Sequence, residues 1–102
     1  MSTAQQMVLA TVEAWVREKL EGGNSIAHGW LHTERVRLHI RILAPAEDVD
    51  PFLAELAALL HDVGRTEPGP EAEHGARAAD MARPLLASLP LSDDQRESVM
   101  HA

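Results

Sequence analysis

With 102 residues, 45% of them hydrophobic and 25% charged, the chain can bury one core and has the balance of a globular protein rather than a disordered one. A formal charge of -7 excludes general nucleic-acid binding, which needs a concentrated basic surface, and the lack of cysteine excludes disulfides, thiol catalysis and thiolate metal sites. There is no basic-then-apolar leader and no run near the roughly 20 apolar residues of a membrane span, so no membrane partner is expected and the cytoplasm is the default location.

The aromatic residues are Trp15, Trp30 and Phe52, which leaves Leu, Val, Ile and Ala to build the core and favours helices. A first helix is expected from about Thr3 to Leu20, where Val8, Val12, Trp15, Val16 and Leu20 form a stripe opposite Gln5, Glu13, Arg17 and Glu21. Glu21-Gly22-Gly23-Asn24-Ser25 stops it. This leading segment, residues 1–25, reads as a cover for the core of a single domain spanning 1–102.

A second helix should run from near His28 to just before Pro45, which a helix does not easily pass. At about 100° per residue, Leu31, Val36, Leu38, Ile40, Ile42 and Leu43 share one arc with His28, His32 and His39 at its middle. Trp30, Glu34, Arg37 and Arg41 fall on the other side. That pattern predicts a buried face carrying histidines, and each of these needs a carbonyl, an acid or a metal as partner, since an unsatisfied buried polar group costs roughly 1 to 3 kcal/mol. His28 and His32 stand four apart, the spacing at which two imidazoles can share a metal, but Gly29 holds the place where a glutamate usually follows.

Ala44 to Val49 connects to a third helix opened by Asp50 as N-cap and Pro51 at the first helical position. Phe52, Leu53, Leu56, Ala57, Leu59, Leu60 and Val63 circle most of its axis, so it should lie at the centre of the bundle. It runs into His61-Asp62, with Gly64 expected to end it in the left-handed conformation. The His61-Asp62 doublet offers a neutral nitrogen and a charged oxygen, a mix suited to divalent transition metals. It reads equally as a polar C-terminal turn whose imidazole satisfies helix carbonyls. Position helps to choose. At 1.5 Å per residue, His32 lies about 18 Å back from the connection and His61 about 15 Å beyond it. A short link makes such helices antiparallel neighbours, which brings His32 and His61 to nearly the same height.

The segment from Gly64 to Glu73 is rich in turn formers. It carries Arg65 beside the doublet and returns the chain as a fourth helix from about His74, at the same end of the bundle. Ala78, Ala79, Ala82, Leu85, Leu86 and Leu89 form that helix's stripe, small residues first. Pro84 inside it predicts a kink or an early end, because proline costs about 3 kcal/mol in a helix interior. Ser92-Asp93-Asp94-Gln95 is a capping box for a fifth helix bearing Val99, Met100 and His101. That helix breaks off at Ala102 without a cap signal, which predicts a fragment or completion by another subunit, a homodimer included.

The order His32, His61-Asp62, His74, His101 resembles the HD superfamily of metal-dependent phosphohydrolases. The resemblance rests on His28-Gly29-Trp30-Leu31-His32-Thr33-Glu34-Arg35-Val36, on Ala57-Ala58-Leu59-Leu60-His61-Asp62-Val63-Gly64-Arg65, on Glu73-His74-Gly75-Ala76-Arg77-Ala78-Ala79 and on Val99-Met100-His101. It implies an all-α bundle of about five helices in which His32, His61 and Asp62 bind a metal together with a later aspartate. In two-metal members, the histidines matching His74 and His101 hold a second ion. The later aspartate has no counterpart in the sequence, which ends at Ala102.

The activity expected on this basis is hydrolysis of a phosphate ester, a nucleotide or a related small molecule, assisted by one or two Mn, Fe, Mg, Ni or Zn ions. Asp62 would be ligand and catalytic residue, orienting a water. Arg35 and Arg65 would clamp the phosphate, or else be solvated surface arginines. His28 would support the site or touch the substrate. The rival expectations are a catalytically incomplete metal-binding or ligand-sensing module, and a structural bundle whose histidines are only core residues.

Overall fold

Residues 1–21 and 29–101 are described by a computed structural model, and among them every regular element is helical. The first helix, α1 (Thr3–Glu21), begins in a reciprocal cap. The Gln5 backbone N–H donates to Ser2 Oγ at 3.1 Å, and the Ser2 backbone nitrogen donates to Gln5 Oε1 at 3.2 Å. Its buried residues are Val8, Leu9, Val12, Val16 and Leu20, so Leu9 joins the expected stripe while Trp15 is only partly buried against the core.

The bundle is organised around α3 (Pro51–Leu60), which packs against α1, against α2 (Trp30–Leu43) and against α5 (Asp93–Met100). Asp50 caps it as expected, its Oδ1 accepting from the Phe52 N–H at 2.9 Å and the Leu53 N–H at 3.4 Å. Phe52, Leu56 and Leu59 are fully buried, so α3 supplies the centre of the core. The fourth helix, α4 (His74–Ala87), turns Ala78, Ala82 and Leu86 inward and runs on past Pro84 to Ala87 rather than ending early. The Ser92–Gln95 capping box opens α5. Arg96 then ties α5 back to α4 by donating to the Leu86 and Leu89 carbonyls, each at 2.9 Å. No helix among the described residues is long and apolar enough to cross a membrane.

The setting of α2 departs from expectation. The structure turns the Arg37 side inward: Thr33 and Arg37 are buried and Trp30 packs against the core, whereas Leu31, Leu38, Ile42, Leu43 and His39 are exposed. The reason is electrostatic. Arg37 Nε lies 2.6 Å from Glu55 Oε1 on α3, and Arg37 Nη1 lies 3.2 Å from Glu13 Oε2 on α1. Arg41 adds a second guanidinium to the same Glu55 oxygen, at 2.8 Å from Nε and 2.6 Å from Nη2. A buried guanidinium is costly unless acceptors and opposite charge meet it, and the angular pattern of α2 alone does not reveal that two acids on other helices are waiting.

Burial alone would raise the Glu55 pKa, but the hydrogen bonds and charges of Arg41 and Arg37 outweigh it and hold the carboxyl below its ordinary value of 4.5. Burial likewise works against the Arg37 charge, and Glu55 and then Glu13 overcome it, so its pKa is raised. Because the Glu55 pKa is lowered on folding, the stability it contributes is complete above pH 4.5 and is lost as pH falls through the lower folded value. Glu55→Ala, which takes from the buried Arg37 its closest carboxylate and leaves it with Glu13 and Glu34, should cost about 3 kcal/mol in urea unfolding at pH 7. The acid limb of the stability curve should be shallower for Glu55→Gln than for the wild type.

Candidate metal centre

Inside a helix, neighbouring side chains diverge by about 100°, so His61 and Asp62 can converge only where the helix gives way. This is where they sit. His61 follows α3 with helical angles (φ -59°, ψ -33°), and Asp62 leaves the helix at φ -110°, ψ 1°, opening a 3-10 turn over Val63–Thr66. His61 Nδ1 lies 2.5 Å from the Ala58 carbonyl oxygen. A carbonyl only accepts, so Nδ1 carries a proton and Nε2 is the ring nitrogen that a metal would take.

That Nε2 lies 3.0 Å from Asp62 Oδ2, and His32 Nε2 on α2 lies 3.4 Å from the same oxygen. The two imidazole centroids are 5.6 Å apart. One donor atom from each of His32, His61 and Asp62 falls within 4.8 Å of the others. Two donors each about 2.1 Å from a tetrahedral ion are about 3.4 Å apart, close to the separations between each imidazole and the carboxylate. Two imidazole nitrogens and one carboxylate suit a divalent transition metal, and a set of three donors would leave a coordination position open. Asp62 is only 2% exposed while the His32 and His61 side chains are 42% and 32% exposed, so the negative charge sits at the floor and the site opens to solvent above it. The donor chemistry, spacing and access fit a bound cation.

The remaining expected residues divide. Arg65, on the 3-10 turn, brings its guanidinium to Asp62 Oδ1, and donates from Nε to Glu71 Oε1 at 2.6 Å. His74 opens α4 and borders the same cavity as His61, Asp62 and Arg65, with Nδ1 2.8 Å from the Glu71 carbonyl oxygen. It is not one of the three clustered donors. His101 stands apart, its side chain 71% exposed and its Nε2 2.9 Å from a Glu97 carboxylate oxygen on the same helix. Arg35 is exposed on α2. His28 lies outside the described residues.

Gly64 acts differently from its expected part as a helix stop. The helix ends earlier, at Leu60, and Gly69 is the glycine with positive φ among the described residues. What Gly64 permits is close approach: a Cβ there would sit on the His74 carbonyl oxygen and 2.8 Å from the Ala78 amide nitrogen, both backbone atoms of α4. The turn that carries Asp62 and Arg65 is therefore pressed directly against α4. Arg77 stitches the same contact from the other side, donating from Nε to the Gly64 carbonyl at 3.0 Å and from Nη1 to the Pro70 carbonyl at 2.5 Å. Neither Arg77 nor Glu71 stands out in the sequence, because partners that are backbone carbonyls or loop acids leave no spacing signal.

Gly64→Ala should push this turn off α4. A loss of about 1 to 3 kcal/mol in thermal unfolding is expected, together with weaker Mn²⁺ binding by calorimetry. Unchanged values for both would show that the close approach is not required.

No curated protein and no solved structure matches the chain. A family model, the HD domain, matches residues 29–102. That stretch contains α2 to α5 and all three clustered donors, and the chain belongs to the HD domain family, whose members are generally metal-dependent hydrolases.

Proposed function

We propose that this protein is a metal-dependent phosphohydrolase acting on the phosphate ester of a small molecule, a nucleotide being within that range. The observation that carries the reading is the convergence of His32 Nε2 and His61 Nε2, from two different helices, on one oxygen of the buried Asp62 carboxylate. His32, His61 and Asp62 are the proposed ligands. Two imidazoles in the set favour Mn, Fe, Ni or Zn over Mg, which prefers oxygen.

A divalent cation supplies acidified water and offsets charge developing on phosphoryl oxygens. The chain's own groups do the rest. His61 is held by the Ala58 carbonyl with Nε2 presented toward Asp62. Asp62 is held by Arg65 through Oδ1, which leaves Oδ2 for the ligand cluster and fixes the carboxylate that would orient a water. Arg65 bridges the buried Asp62 and the exposed Glu71. An exposed ion pair is worth little, typically below about 1 kcal/mol, so an arriving phosphate can take Glu71's place on the guanidinium. The fork geometry suits a phosphate as well as it does a carboxylate. His74, at the cavity wall, would meet the substrate or a second ion.

The full chain should bind about one equivalent of Mn²⁺ by calorimetry, and His32→Ala should weaken that binding by about 10- to 100-fold or more. With Mn²⁺ and an aryl phosphate, Asp62→Ala should lower kcat/KM at least about 100-fold, since several kcal/mol of metal-dependent stabilisation correspond to that much at 1.36 kcal/mol per decade. Equal rates for wild type and variant would overturn the proposed catalysis. Absence of metal binding would leave the histidines as structural residues.

A further inference from the structure

A solvent-open groove of about 590 Å³ runs from the candidate metal centre between α2, α3, α4 and α5. Its volume lies in the range of small-molecule sites, roughly 300 to 1,000 Å³. Its chemistry is uneven. Among the described residues, the polar lining consists of His61, Asp62, Arg65 and His74. These come from the end of α3, the turn after it and the start of α4, and so belong to one end of the bundle. Every other described lining residue is Ala, Val, Ile, Leu, Met or Gly. Along α3 the groove reaches back from His61 to Ala54, about 10 Å at 1.5 Å per residue. Ala54, Ala57 and Ala79 keep space open there, while Val36, Ile40 and Met100 add larger apolar surfaces.

A nucleoside fits this lining poorly. Those donors and acceptors of its base and ribose that face the wall would exchange water for methyl and methylene groups, and each left unpaired costs roughly 1 to 3 kcal/mol. A site without polar partners cannot recover that cost. We propose, on the basis of the phosphohydrolase reading, that the substrate is a phosphate monoester whose organic group is apolar, alkyl or aryl. The phosphate lies at the end formed by Asp62, Arg65 and the two histidines, and the organic group lies along the groove beside Ala54, Ala57, Val36 and Ile40. These four residues set specificity and take no part in the chemistry.

The test compares ethylphosphonate, hexylphosphonate and adenosine 5′-monophosphate as ligands of the full chain in the presence of Mn²⁺, by calorimetry, alongside kcat/KM for ethyl and hexyl phosphate. Each buried methylene is expected to tighten binding about fourfold, so hexylphosphonate should bind on the order of 100-fold tighter than ethylphosphonate and tighter than the nucleotide. Filling the groove by Ala57→Leu, or independently by Ala54→Leu, should erase the dependence on chain length while leaving Mn²⁺ binding unchanged, since neither residue is a proposed ligand of the ion. Helical content by circular dichroism will show that both variants fold.

Equal affinity for the two phosphonates, or tighter binding of the nucleotide, would overturn the proposal. So would a concentration-dependent dimer that hides the groove and is broken by Ile40→Asp. Graded binding of the phosphonates without turnover of either ester would sustain the ligand class assigned here and overturn the phosphohydrolase reading instead.

Discussion

The buried Glu55 carboxylate fixes the rotation of α2. It receives Arg37 and Arg41 on a single oxygen, at 2.6 to 2.8 Å, while Arg37 also reaches Glu13 on α1. Three helices are thereby tied at one point. A hydrophobic contact tolerates sliding and rotation, because dispersion and burial are non-directional, whereas two guanidinium groups meeting one buried carboxylate do not. With Arg37 turned inward, His32 lies on the flank of α2 beside α3 and within 3.4 Å of Asp62.

The other half of the site depends on how α3 ends. Asp62 departs from helical geometry one residue after His61, and the turn it opens lies against α4 at Gly64 with no room for a side chain. Arg77 and Arg65 brace that turn from either side, the first on the Gly64 and Pro70 carbonyls, the second between Asp62 and Glu71. A buried acid needs such a frame, since desolvation of an unpaired carboxylate is costly. The frame supplies neutralising charge on one oxygen and leaves the other facing two imidazoles. The same bundle end thus combines a buried carboxylate, two imidazoles and a guanidinium that also meets a loop acid, a combination suited to holding a cation and an anionic group together.

Beyond this polar end the cavity changes character within about two helical turns of α3. Alanines on α3 and α4 leave space that longer side chains would have filled, and the walls carry no hydrogen-bonding side chain among the described residues. Family membership speaks to the chemistry of the polar end. The apolar extension belongs to this chain's own residues and bears on what it selects.

Much of the architecture was legible in the sequence: the five helices, the Asp50-Pro51 and Ser92–Gln95 caps and the central place of α3 follow from local periodicity and capping chemistry, which act over a few residues and leave a readable pattern. The meeting of His32 with His61-Asp62 was legible too, because helix rise and a short connection fix relative height. The face of α2 was not, since its apolar and charged arcs each form a plausible inner side and the choice rests on acids 18 to 24 positions away from Arg37 in sequence. Nor were the close-approach role of Gly64, the bracing by Arg77 and Glu71, or the separation of His101 from the cluster. Sequence by itself determined which elements form and which ligand types are present. Tertiary structure decided which faces and backbones touch, because long-range ion pairs and backbone contacts carry no periodic signature along the chain.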